Sequence, residues 1–129
     1  MILDTDFLIS LLRKDSSAIE FLESLVESDI DFFITHVNLW ELFRGAYASA
    51  KRQENLERVS TFFRRFQLLE FSQGIDQRAG HLIAELSKKG TLIGVLDSVI
   101  AAVALEHGMP LLTRNVKHFE KTGVVLKTW

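Results

Sequence analysis

Apolar positions change period several times along the chain. Met1 to Leu3 run apolar without interruption, as a short buried strand does. Phe7, Leu8, Leu11 and Leu12 then recur at helical spacing. Ser16 or Ser17 is placed to cap a second helix with Ile19, Leu22, Leu25 and Val26 facing inward. The segment DFFIT at 31–35 predicts another strand. A helix is expected from about His36 to Ala50, with Trp40, Phe43 and Tyr47 on one stripe. Another is expected from about Asn55 to Phe66, with Leu56, Val59, Phe63 and Phe66 on its inner face and Arg58 and Arg65 off it. FQLLEF at 66–71 reads as a strand, and Ile75 to Lys89 as a helix that Gly90 ends. Leu96 to His107 is apolar almost all round, which predicts a buried helix. Gly108-Met109-Pro110 breaks it, and PLLT (110–113) and VVLK (124–127) supply the last strands.

Strands thus alternate with helical stretches, so the pattern predicts an α/β fold with a parallel sheet covered on both faces. Right-handed crossovers bring the C-terminal ends of the strands to one edge. Sites in such folds sit there, where the strand order reverses. At 129 residues, 47% hydrophobic and 25% charged, the chain suits one domain with a filled core. It has no stretch of 18 uninterrupted apolar residues, and its first residues carry Asp4 and Asp6 in place of a basic signal-peptide start. Cysteine is absent, which removes disulfides and thiolate chemistry and makes a cytoplasmic location the default. A formal net charge of −2 does not advertise nucleic-acid binding through bulk charge, nor exclude it through local basic residues.

Several polar residues fall on the predicted edge. Asp4 and Asp6 follow the first strand. Thr113, Arg114 and Asn115 end the PLLT strand. Asp97 opens the buried helix, and Glu41 lies early in the helix after the second strand. Distant segments therefore send oxygen donors toward one place, as a hard divalent cation requires. Carboxylates held close repel one another, and a cation is the natural neutraliser. Each residue also has an ordinary reading. Asp97 could cap its helix. Glu41 could pair with Arg44 at i,i+3 on a solvated face. Asp4 and Asp6 could be turn residues, although an acid directly after Met1-Ile2-Leu3 is expected to be partly buried and so to need partners. The four histidines are scattered, and none reads as a metal ligand.

The segments ILDTDFLI (2–9), LWELFRGA (39–46), IGVLDSVIAAVALEHGMPLLTRN (93–115) and VKHFEKTGVVL (116–126) together resemble the PIN-domain nucleases, and within them the VapC-type toxins of toxin–antitoxin pairs. The resemblance runs from end to end of the chain, 1–129. It implies a single three-layer α/β/α domain with a central, mainly parallel sheet. It implies that Asp4, Glu41 and Asp97 bind the catalytic Mg²⁺ or Mn²⁺, and that the Thr113 hydroxyl helps hold Asp4. Asn115 stands where many members carry a fourth acid, which argues against a second metal ion and not against the first. Asp6 matches a supporting position, and Arg114 and His118 fall near the site without an assigned role. The implied activity is hydrolysis of RNA phosphodiesters by a metal-activated water.

Partners implied by the resemblance are the RNA substrate, a VapB-type antitoxin and a second copy in a homodimer, with no membrane involved. Ten phenylalanines, many at 32–33 and 62–66, offer apolar surface for such contacts, Phe62 lying off the inner stripe of its helix. A housekeeping RNA-processing nuclease, or a non-cleaving module that binds RNA or protein, would share the same pattern. The haloacid-dehalogenase-like phosphatases also begin with paired aspartates, but Leu8 breaks their motif and the chain contains no Asp-Asp pair.

Overall fold

The structure is a computed structural model describing all 129 residues. Five short strands form one sheet: β1 (Ile2–Leu3), β2 (Phe33–Ile34), β3 (Gln67–Leu68), β4 (Leu111–Leu112) and β5 (Leu126–Lys127). Their order is β3-β2-β1-β4-β5, and all four pairings are parallel. The chain starts in the middle, builds outward to β3, and returns to add β4 on the other side of β1. The order therefore reverses beside β1, and ligand sites in such sheets lie at that crevice.

Seven helices cover the sheet: α1 (Thr5–Leu12), α2 (Ser16–Glu27), α3 (His36–Tyr47), α4 (Arg52–Phe62), α5 (Gln73–Lys88), α6 (Val95–Glu106) and the single turn α7 (Val116–Phe119). Side chains alternate across a strand, so the two residues of β1 feed two cores. Ile2 and Leu111 join Ile75, Ile100, Val103 and Phe119 under α5, α6 and α7. Leu3, Ile34 and Leu112 join Phe7, Leu8, Leu25, Leu42 and Val59 under α1, α2, α3 and α4. The result is the expected three-layer α/β/α arrangement. No helix is long and apolar enough to cross a membrane.

Local details differ from the periodic reading. Asp15, not Ser16 or Ser17, caps α2, its carboxylate accepting from Ala18 N. Ile19 and Val26 face solvent, and Ala18 and Leu25 are the buried positions of that helix. Trp40 and Tyr47 are exposed, because α3 buries its narrower face of Val37, Asn38, Leu42 and Ala46. That helix ends at Tyr47 rather than Ala50. The next starts at Arg52 rather than Asn55, and tightens into a 3₁₀ turn at Phe63–Arg65. Only Gln67–Leu68 of the segment 66–71 and Leu126–Lys127 of 124–127 pair as strands. Phe62 is half-buried, edge-on to Phe66 at 5.0 Å between ring centres, so it packs on the core under α1 to α4 as much as it offers surface.

Candidate active site

Backbone pairing carries past the short strands and sets the first residues of the site. Asp4 N donates to Leu112 O at 3.0 Å, and Thr113 N donates to Lys127 O at 2.9 Å. These bonds place Asp4 and Thr113 side by side on neighbouring strand ends. Thr113 Oγ1 then donates to Asp4 Oδ2 at 2.7 Å, and Asp4 Oδ1 accepts from Thr5 N at 2.7 Å as the cap of α1. Asp4 is only 6% exposed. Burial pushes its pKa up to about 7, against the pull of the Thr113 and Thr5 hydrogen bonds, and the charges of Asp6 and Glu41 push the same way. Desolvation is thus the largest cause and like-charge repulsion a smaller one.

Asp6 bridges two loops. Its Oδ1 accepts from Phe7 N at 2.7 Å and its Oδ2 from Arg114 N at 2.8 Å, with Thr113 Oγ1 farther off at 3.4 Å. The single hydroxyl hydrogen of Thr113 belongs with the closer Asp4. Burial raises the pKa of Asp6 too, opposed by those backbone bonds. Arg114 leans away from the acids. Its guanidinium lies 4.3 Å from the centre of the Trp129 ring, and it donates to Trp129 O at 3.3 Å and Ser17 Oγ at 3.0 Å.

Glu41 makes no ion pair with Arg44. Its Oε2 accepts the hydroxyl of Thr5, whose oxygen accepts from Asn38 Nδ2 at 2.9 Å. Asn38 Oδ1 accepts from Thr35 N at 2.7 Å and from Thr35 Oγ1 at 2.8 Å, and Asn38 N donates back to Thr35 Oγ1 at 3.3 Å, closing the capping box that starts α3. Thr5, Asn38 and Thr35 were not among the residues singled out in the sequence. The spacing T-x-x-N before an apolar run was the one available sign, and it signals a helix start rather than a site.

Asp97 does not cap α6; Gly94 does, and Asp97 sits in the first turn, where its charge suits the helix dipole. A Cβ on Gly94 would lie 3.1 Å from Asp97 Oδ2, so glycine leaves room for that carboxylate to fold back. Asp97 Oδ2 is 2.9 Å from His118 Nδ1, which is also 2.7 Å from Asn115 Nδ2. One ring nitrogen cannot donate to Asp97 and accept from Asn115 together. The two contacts compete, and a protonated ring favours Asp97. Asn115 N donates to Thr113 Oγ1 at 2.9 Å, linking this cluster to the Asp4 side. His118 came out of the sequence with no role; here it is the partner of Asp97.

All of these groups offer oxygen, and a buried aspartate held against its own desolvation is the kind of residue a hard cation suits. Asp4, Glu41 and Asp97 are not gathered into one ligand cluster, however, and no three acidic or imidazole side chains are so grouped. Asp97 is turned to His118 instead. Beside Glu41 a pocket of about 290 Å³ opens between α1, α3 and α4, with Ile9, Leu42 and Val59 as apolar walls and Arg13 and Arg58 as basic ones. A larger groove of about 840 Å³ runs between α1, α2 and α4 over Leu11, Leu12, Leu22, Phe32, Phe62 and Phe66.

The parallel sheet reverses beside β1 with acids at the reversal, and the family model described as PIN domain matches residues 1–125. Among relatives, the tRNA(fMet)-specific endonuclease VapC of Salmonella typhimurium is 33% identical over 97 residues, 74% of each chain. Ribonuclease VapC2 of Rickettsia felis is 28% identical over 128 residues, covering 98% of this chain and 96% of the other. The crystal structure of VapBC2 from Rickettsia felis bound to promoter DNA superposes with a TM-score of 0.90 at 28% identity, covering 99% and 97% of the two chains. DNA-bound VapBC from Salmonella typhimurium gives 0.89 at 29% identity, covering 99% and 96%. The chain belongs to the PIN-domain family, among its VapC-type ribonuclease toxins.

Proposed function

We propose that this chain is a metal-dependent endoribonuclease, the toxin of a VapBC-type pair. The observation that carries the reading is Asp4: a carboxylate fixed at the strand-order reversal, desolvated, and held by Thr113 from the neighbouring strand. Asp4, Glu41 and Asp97 would hold Mg²⁺ or Mn²⁺. The cation would lower the pKa of a water and offset charge on the phosphate. Thr113 keeps Asp4 Oδ2 oriented, and Asp6 pins the loop that carries Thr113 to the first turn of α1. Asn115 contributes a neutral amide at the fourth position. Asp97 Oδ2 faces His118, which leaves Asp97 Oδ1 without a hydrogen bond within the protein.

RNA is the substrate this reading requires, and initiator transfer RNA is the first to try, because one relative is named for it. A VapB-type antitoxin is the proposed partner, with the apolar groove between α1, α2 and α4 as its seat. Exposed Trp40, Tyr47, Leu92 and Val95 support a homodimer contact. The test is cleavage of RNA by the wild type and by Asp4→Ala, each with and without Mg²⁺ or Mn²⁺. Cleavage by the wild type alone, and only with metal, is expected. Equal activity in both, or none in either, removes the nuclease reading and leaves a binding module.

A further inference from the structure

The chain Thr35–Asn38–Thr5–Glu41 has a direction that the atoms themselves dictate. A backbone N–H can only donate, so Thr35 N fixes the oxygen of the Asn38 amide toward Thr35. The Thr35 hydroxyl donates to the same oxygen. The Asn38 nitrogen must then face Thr5, where it donates to Oγ1. The Thr5 oxygen is thereby an acceptor, and its one hydrogen goes to Glu41 Oε2. Thr35 and Asn38 are fully buried and Thr5 nearly so, so the bonds among these three are shielded from solvent, while the Glu41 end is partly exposed. Glu41 Oε1 makes no hydrogen bond within the protein, so one carboxylate oxygen is committed and the other is left available.

We infer that Thr35, Asn38 and Thr5 are positioning residues that commit Glu41 Oε2 to the protein and present Oε1 to the divalent cation, an assignment that rests on the metal-nuclease reading above. The relay joins the helix after β1 to the helix after β2, so it also fixes the spacing between Asp4 and Glu41. Partners of this kind around a metal site typically change metal affinity tenfold or more when removed.

The test is Mn²⁺ binding to the protein without RNA, by electron paramagnetic resonance, alongside thermal unfolding. Thr5→Val removes the hydroxyl at nearly constant shape, and Thr5→Ser keeps it. Thr5→Val is expected to weaken Mn²⁺ binding about tenfold, and Thr5→Ser to stay within about twofold. Where Thr5→Val does not fold, the wild type supplies the measurement. The Thr5 hydroxyl proton should be slow to exchange by NMR and should shift on Mg²⁺ addition. Unchanged Mn²⁺ affinity in folded Thr5→Val, or a Thr5 proton indifferent to Mg²⁺ while the Asp4 carboxyl responds, overturns the relay and leaves the metal site standing. No Mn²⁺ binding by the wild type overturns both.

Discussion

The two halves of the site are built differently. On the Asp4 side Asp4, Thr5, Asn38 and Thr113 are buried, and the hydrogen bonds of Asp4 and Glu41 run to these residues in assigned directions. On the Asp97 side the carboxylate is 24% exposed and shares a histidine with a competing amide. The buried half is fixed before anything binds. On the open half the two contacts at His118 Nδ1 exclude each other, and water is available to each partner. A preformed half gives a site its location, and an adjustable half lets it close on a ligand.

The largest effect should come from breaking the fixed half. Thr113→Val leaves the buried Asp4 Oδ2 without its partner, and Asn115 N without its own nearer the surface. It should cost about 1–3 kcal/mol of stability, measured by urea unfolding, and remove cleavage. A loss of activity with no loss of stability would mean that Asp4 is less tightly held than its geometry says. The pH dependence of stability is the next. With the Asp4 pKa raised to about 7, the folded chain keeps a proton that the unfolded chain releases near pH 4. Stability should therefore fall as pH rises from about 4 through 7, by at most about 4 kcal/mol. Added Mg²⁺ should reverse the fall at pH 8 and do little at pH 5, where the proton competes with it. A stability curve no steeper than that of Asp4→Asn over this range would count against the buried charge.

Changes on the open half should be milder. His118→Ala frees Asp97 and should alter stability by less than about 1 kcal/mol, while shifting the metal concentration needed for half-maximal cleavage. Gly94→Ala brings a methyl toward Asp97 Oδ2, a mobile side-chain end, so the carboxylate should move and the fold should not. A metal requirement left untouched by both would place Asp97 outside the site. The smallest effect lies outside both halves. Lys14 has a positive φ of 59° after α1, where glycine is unstrained, so Lys14→Gly should raise stability by about 1 kcal/mol. Cleavage should not change.

The alternation of apolar runs and helical stripes was enough to place every strand and six of the helices; amphipathic helices and the buried strands β1 and β4 leave the strongest traces, while β3 is exposed. Helix faces were less legible. Trp40 and Tyr47 form a good stripe with Phe43, but the buried face is Val37, Asn38, Leu42 and Ala46, and of the stripe only Phe43 packs against the core. The four-residue α7 is too short to leave a period. Of the site, Asp4, Asp6 and Thr113 were readable from their places at strand ends. The role of Thr5 and Asn38 was not, because each is an ordinary helix-start residue until α1 and α3 are brought together. The link between Asp97 and His118 depends on the turn after β4, whose direction no local pattern encodes.

The most direct measurement pairs two readouts on Asp4→Asn at pH 8: the rate of Mg²⁺-dependent RNA cleavage and the melting temperature without metal. Cleavage should disappear while the melting temperature holds or rises, because the substitution removes a desolvated charge. A variant that unfolds, or one that melts as the wild type does and still cuts RNA, would contradict it.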